Sequence, residues 1–194
     1  MSIYAGVGSR EAPEEVLVVL EELGRILAER GWLLRSGNAR GADQAFAKGA
    51  GAVSPELVEI FLSWPGYEKE AILPGCRVHG SPGKESREMA SRYHSGWDIC
   101  ASGARALHGR NVEIILGPSL DSPVSLVLCW TAGGKVRGGT AMGIHVARAG
   151  AIPLVNLGTS AGMEFAGGLI AGDSVEDCLS VYLSSVSSFQ RRLF

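Results

Sequence analysis

The chain has 194 residues, 46% of them hydrophobic and 20% charged, with a formal net charge of −2. That mixture excludes a disordered segment, and the length suits one domain with a proper core but not two comfortable ones. A near-neutral balance, with a pI of about 6.1, argues against a dedicated nucleic-acid binder, and no apolar run reaches the roughly 18 residues of a membrane span.

The N-terminus enters an apolar strand at 3–7 with no leader of signal-peptide form, so a cytoplasmic chain is expected. Pro13, Glu14 and Glu15 start a helix, with proline in the first turn and acids at the positive end of the dipole. Val16, Leu20, Leu23 and Leu27 recur at helical spacing, and Gly31 closes the element. A strand at 32–35, a glycine loop and a helix at 42–50 follow. The strand at 57–63 ends at Trp64-Pro65-Gly66, and 65–92 then reads as an irregular excursion that could form a lid. A helix is expected at 93–108, with Trp97, Cys100, Ala104 and Leu107 on one face. Arg110-Asn111-Val112 connects it to 114–116. The run 125–130 lacks alternation, as a parallel strand buried on both faces does. A second glycine loop at 131–139 leads to a helix at 140–149 and a strand at 151–156. The remainder, 157–194, is an extension, glycine-rich at 162–172 and helical over 175–184 behind Asp173 or Ser174 as cap. Arg191-Arg192 reads as a solvated tail. Strands alternating with helices imply βαβ units, hence an α/β class and a single Rossmann-like three-layer domain over 1–194 with a mainly parallel sheet.

In such sheets ligands bind beyond the carboxyl ends of the strands, where the strand order reverses. The marked residues fall at those ends. Gly8, Ser9 and Arg10 follow the first strand; Ser36, Gly37, Asn38, Arg40, Gly41 and Asp43 follow the second; Trp64 follows the third. After the buried strand come Thr131, Gly133, Gly134, Lys135, Arg137, Gly138, Gly139 and Thr140. Glycines allow close backbone approach, helix N-termini and hydroxyls receive anions, and guanidinium groups suit phosphate. Neither loop is a Walker loop or a dinucleotide fingerprint. Trp64 and Trp130 could stack a base. The four cysteines lie far apart with no Cys-x-x-Cys, and His79, His94, His108 and His145 share no spacing, so no metal or cofactor is expected. Cys100 and Cys129 read as small core residues.

Val7-Gly8-Ser9-Arg10, Ser36-Gly37-x-Ala39-x-Gly41-Ala42-Asp43, Arg110-Asn111 and Gly138-Gly139-Thr140 together resemble the DNA-processing protein A family, the DNA recombination mediators. Its wider superfamily includes the Lonely Guy phosphoribohydrolases. The resemblance covers roughly 3–156 in pieces and adds Arg110 and Asn111 to the candidate site. It implies single-stranded DNA as partner, pairing into a homodimer, and a compact member of the kind phage genomes carry, whereas the phosphate-type loops themselves point to a nucleotide or phosphoribosyl ligand. Two departures matter. Val112 stands where the recombination mediators carry a second arginine, and Gly143 stands where the phosphoribohydrolases carry their catalytic glutamate. Asp43 and Glu113 remain as candidate acids or bases.

Three readings follow: a nucleotide or phosphoribosyl sensor or sequestering protein, a single-stranded DNA binder with Arg10, Arg40, Lys135 and Arg137 as its phosphate track, and a nucleoside-monophosphate hydrolase with a displaced carboxylate.

Overall fold

A computed structural model describes residues 1–191, with side chains through residue 186. In chain order the elements are β1 (Ile3–Gly8), α1 (Glu14–Glu29), β2 (Leu33–Ser36), α2 (Ala42–Val53), β3 (Val58–Phe61), β4 (Arg77–His79), α3 (Lys84–Ser91), α4 (Ser102–Leu116), β5 (Leu126–Trp130), α5 (Thr140–Ala149), β6 (Leu154–Asn156), α6 (Ser160–Ala171) and α7 (Val175–Arg191). The strands form one sheet ordered β4-β3-β2-β1-β5-β6, and each neighbouring pair is parallel.

Period-two geometry divides the core. Tyr4 of β1 and Leu126, Leu128 and Trp130 of β5 point into one layer with Leu20, Leu23 and Leu27 of α1, Phe46 of α2 and Leu169 of α6. Ala5 and Val7 of β1 and Val127 and Cys129 of β5 point into the other, with Val112, Ile114 and Ile115 of α4 and Met142, Ile144 and Val146 of α5. With helices on both faces, all five β5 residues are buried. The result is the expected three-layer α/β fold of Rossmann type. Helices α1 and α2 cross closely because Gly49 lacks a side chain; a Cβ there would fall 1.8 Å from the Glu21 carbonyl oxygen.

Three segments differ from expectation. Residues 65–92 are not irregular throughout: they add the edge strand β4 and helix α3, seated by the Glu113 carboxylate, which accepts from Gly83 N–H at 2.9 Å and Ser86 Oγ at 2.5 Å. The helix expected at 93–108 starts only at Ser102, after turns around 97–99, and runs on through Arg110-Asn111-Val112. Burial of Val112, Ile114 and Ile115 against the sheet carries it past the expected end. The glycine-rich tail is helical as α6, because its apolar face packs on the sheet and Thr159 Oγ1 caps it, accepting from Gly162 N–H at 3.1 Å. Ser174 caps α7 by accepting from Asp177 N–H. Arg192 and the side chain of Arg191 lie outside the described residues. Among the described residues no helix is long and apolar enough to cross a membrane.

All four cysteines are free. Burial pushes the Cys129 thiol up to about 12, which leaves it inert. Cys100 is half-buried in the turn before α4, not in a helix as expected.

Candidate functional site

Strand order reverses between β1 and β5, and a cavity of about 650 Å³ opens beyond their carboxyl ends. Three pieces of chain supply most of its lining. The β1–α1 turn supplies Gly8, Ser9, Arg10 and Glu11; the β5–α5 loop supplies Thr131, Ala132, Lys135, Arg137, Gly138, Gly139 and Thr140; α4 supplies Leu107, Arg110, Asn111 and Ile115. Val7, Ala39, Asp43 and Gly143 complete the lining.

Its floor is a buried ion pair. Asp43 Oδ2 accepts from Arg110 Nη1 at 3.1 Å and from Ala39 N–H at 3.3 Å, while Oδ1 accepts from Gly8 N–H at 3.0 Å. Burial pushes the Asp43 carboxyl above its ordinary range, and Arg110 with the two N–H donors pulls it back. One carboxylate thus ties together the turns after β1 and β2 and helix α4. With both oxygens engaged, it serves as a brace.

The rim is cationic. Arg10, Lys135 and Arg137 are exposed around the mouth. Arg10 Nη2 donates to the Tyr67 hydroxyl at 2.7 Å, and the same ring lies 5.9 Å from the Arg110 guanidinium carbon. Among the described residues no side chain caps α5; Gly138 at φ 69° turns the chain into its first turn, and Asn111 Nδ2 donates to the Gly139 carbonyl at 2.8 Å. Asn156 holds the other end of this loop, donating to Thr131 Oγ1 at 2.7 Å and accepting from Gly158 N–H at 3.0 Å. The arrangement presents a helix N-terminus and three cations to one space, groups that favour an anion.

Eight of the expected ligand residues do not line the cavity. Ser36 Oγ is buried and donates to the Gly6 carbonyl at 2.6 Å. Gly37 lies under Arg110; a Cβ there would sit 1.1 Å from Nη1. Asn38 is buried at φ 59° and donates to the Glu68 carbonyl at 2.8 Å. Arg40 turns outward to Glu68, 3.1 Å away. Gly41, at φ 82°, lets the Ser9 and Arg10 carbonyls pass close by. Trp64 packs edge-on against Tyr67, and Gly133 and Gly134 form the turn that follows Thr131. The N-terminus of α2 is also occupied, since Ala42 N–H donates to the Ser9 carbonyl at 3.3 Å. The loop at 36–43 is therefore mainly a structural brace, and only Ala39 and Asp43 reach the cavity. Trp130 is buried in the core, and neither Glu113 nor His145 lines the cavity. Sequence reasoning missed Val7, Leu107, Ile115 and Ala132, which carry no polar signal, and Glu11, Ala39 and Tyr67.

Fold and cavity together define a Rossmann-type α/β protein with its pocket at the reversal of strand order. The molybdenum cofactor carrier protein of Chlamydomonas reinhardtii superposes with a TM-score of 0.55 at 20% identity, over 92% of this chain and 98% of that one. DNA processing protein A from Helicobacter pylori gives a TM-score of 0.57 at 16% identity, over 95% of this chain and 81% of that one. The likeness to DNA-processing protein A that the motifs carry is thus met in the fold. No protein-family model matches the sequence, and no curated protein matches it.

Proposed function

We propose that the chain binds a phosphate-bearing small ligand, of nucleotide or phosphoribosyl type, in the β1/β5 cavity, as a sensor or sequestering protein. The observation that carries this reading is the convergence of Gly8-Ser9-Arg10 and the Lys135–Thr140 stretch on one concave space with three exposed cations. The name of the molybdenum cofactor carrier protein says that this fold can hold a small molecule, which supports the reading. Gly143 lines the cavity where the phosphoribohydrolase pattern has glutamate, and a Cβ there would be no closer than 3.8 Å to Ile115, so the place is open but bears no carboxylate.

The test is a thermal-shift panel of nucleotides, cyclic dinucleotides and ADP-ribose derivatives. At least one phosphate ligand is expected to raise the midpoint, since a ligand at 100 times its Kd stabilises by about 2.7 kcal/mol. The Lys135→Ala, Arg137→Ala double variant is expected to weaken that ligand about tenfold or more. No shift with any phosphate compound would overturn the proposal.

A second reading is single-stranded DNA binding along the same rim. The Helicobacter pylori protein, whose single-stranded DNA binding mode is described, has this fold, and Arg10, Lys135 and Arg137 share one face here. It requires oligonucleotide affinity that falls steeply with salt, by roughly 0.7 in log–log slope per phosphate neutralised. Absent or salt-insensitive binding removes it.

A further inference from the structure

His94, Cys100 and His108 belong to two different stretches of chain: the turns that follow α3, and α4. In the sequence their spacing, five intervening residues and then seven, matches no familiar metal pattern. The fold nevertheless gathers them. One ligand atom from each lies within 4.8 Å of the other two, and all three residues are half-buried. We propose that these three side chains form a binding site for a divalent ion of zinc type.

The chemistry of the donor set selects the ion. Two imidazoles and a thiolate suit borderline-soft divalent metals such as Zn²⁺, whereas Mg²⁺ and Ca²⁺ take oxygen ligands. Zinc–nitrogen and zinc–sulfur bonds imply ligand atoms about 3.3 to 3.6 Å apart in a tetrahedron, so modest side-chain rotation closes the site. Three protein ligands leave a fourth position for water or another donor.

A second observation points the same way. Nδ1 of His94 and Nδ1 of His108 are both buried with no hydrogen-bond partner among the described residues. Unpartnered buried ring nitrogens cost free energy that a metal, or a proton shared with a partner, would recover. The two rings lie 4.6 Å apart between centroids, tilted by 51°, and the Trp97 ring lies 6.2 Å from each. Arg105 Nη2 donates to the Trp97 and Asp98 carbonyls at 2.9 and 3.0 Å, which holds the Cys100 turn against α4 in advance. His108 stands on α4 beside Leu107 and two residues before Arg110, both of which line the cavity. An ion here would fasten the 94–100 turns to the helix that forms one wall of that cavity.

The experiment uses the full chain, reduced and stripped of metal, titrated with Co²⁺ as a spectroscopic probe. One equivalent is expected to produce a thiolate-to-cobalt charge-transfer band and visible bands of tetrahedral intensity, both abolished by stoichiometric Zn²⁺. Cys100→Ser is expected to lose the charge-transfer band, while Cys76→Ser, at the other half-buried cysteine, keeps it. His94→Gln and His108→Gln are each expected to weaken Co²⁺ by tenfold or more. Because the wild-type titration stands alone, misfolding of a variant leaves the test intact. Absence of the thiolate band in the wild type, or its survival in Cys100→Ser, would overturn the proposal, whatever the phosphate panel shows.

Discussion

Asp43 and Arg110 are both almost fully buried, and each is held by the other. Removing one partner of such a pair leaves an uncompensated charge in a low-dielectric space, at a cost of about 3–5 kcal/mol. Asp43→Ala is therefore expected to lower the unfolding free energy read from urea denaturation by an amount in that range, through a lower midpoint at an unchanged denaturant slope. Gly37→Ala tests the same contact from the other side. The new Cβ would land on Arg110 Nη1, so the guanidinium must move even though the carboxylate is untouched. A fall in midpoint for Asp43→Ala with none for Gly37→Ala would show that the pair is not the brace described. The sequence singled out Gly37 and Asp43 because they stand in a glycine loop between a strand end and a helix. It could not show that they face inward, since a buried brace and an exposed phosphate loop use the same residue types. Burial decides between them.

Among the elements, α1 was legible because apolar spacing, an acidic start and a glycine end agree, and α5 because a glycine loop leads into it. The edge of the sheet was not. Strand β4 is three residues long, largely exposed, and stitched to β3 by charge rather than by an apolar pattern. Glu59 on β3 accepts from Arg35 Nε of β2 at 2.9 Å and from Arg77 Nη1 of β4 at 2.5 Å. Burial would raise the Glu59 carboxyl; Arg35, Arg77 and His79 outweigh it and hold the group below its ordinary 4.5. With the folded value depressed, the stabilisation is fully present above 4.5 and is lost as pH falls through the lower folded value. Unfolding free energy measured from about pH 6 to about pH 3 is expected to drop more steeply in the wild type than in Glu59→Gln. Parallel profiles would remove Glu59 from that role.

At the scale of the molecule, alternation of strands and helices was enough to give the class, and the sheet order then fixes where a cavity can form. The cations and glycines of the β1 and β5 turns were visible because polar residues stand out at strand ends. The apolar half of the lining was hidden, since Leu107 and Ile115 look like any core residue until α4 is placed across the sheet end. Tyr67 was hidden more deeply. It lies in the stretch with no periodicity, yet it is buried and comes back from the far half of the sheet to meet Arg10 and Arg110.

That phenol has a consequence for recognition. A long cation at a pocket mouth normally samples many rotamers, and fixing it on contact with a guest costs roughly 0.5–1.5 kcal/mol. Arg10 is already moored by Tyr67, so part of that ordering is complete before anything arrives. Tyr67→Phe keeps the ring and the charge but cuts the mooring, and should weaken a phosphate guest by no more than about tenfold while leaving its salt dependence unchanged. Equal affinity in the two proteins, read by titration calorimetry, would mean that Arg10 is either unused or equally well poised without its tether.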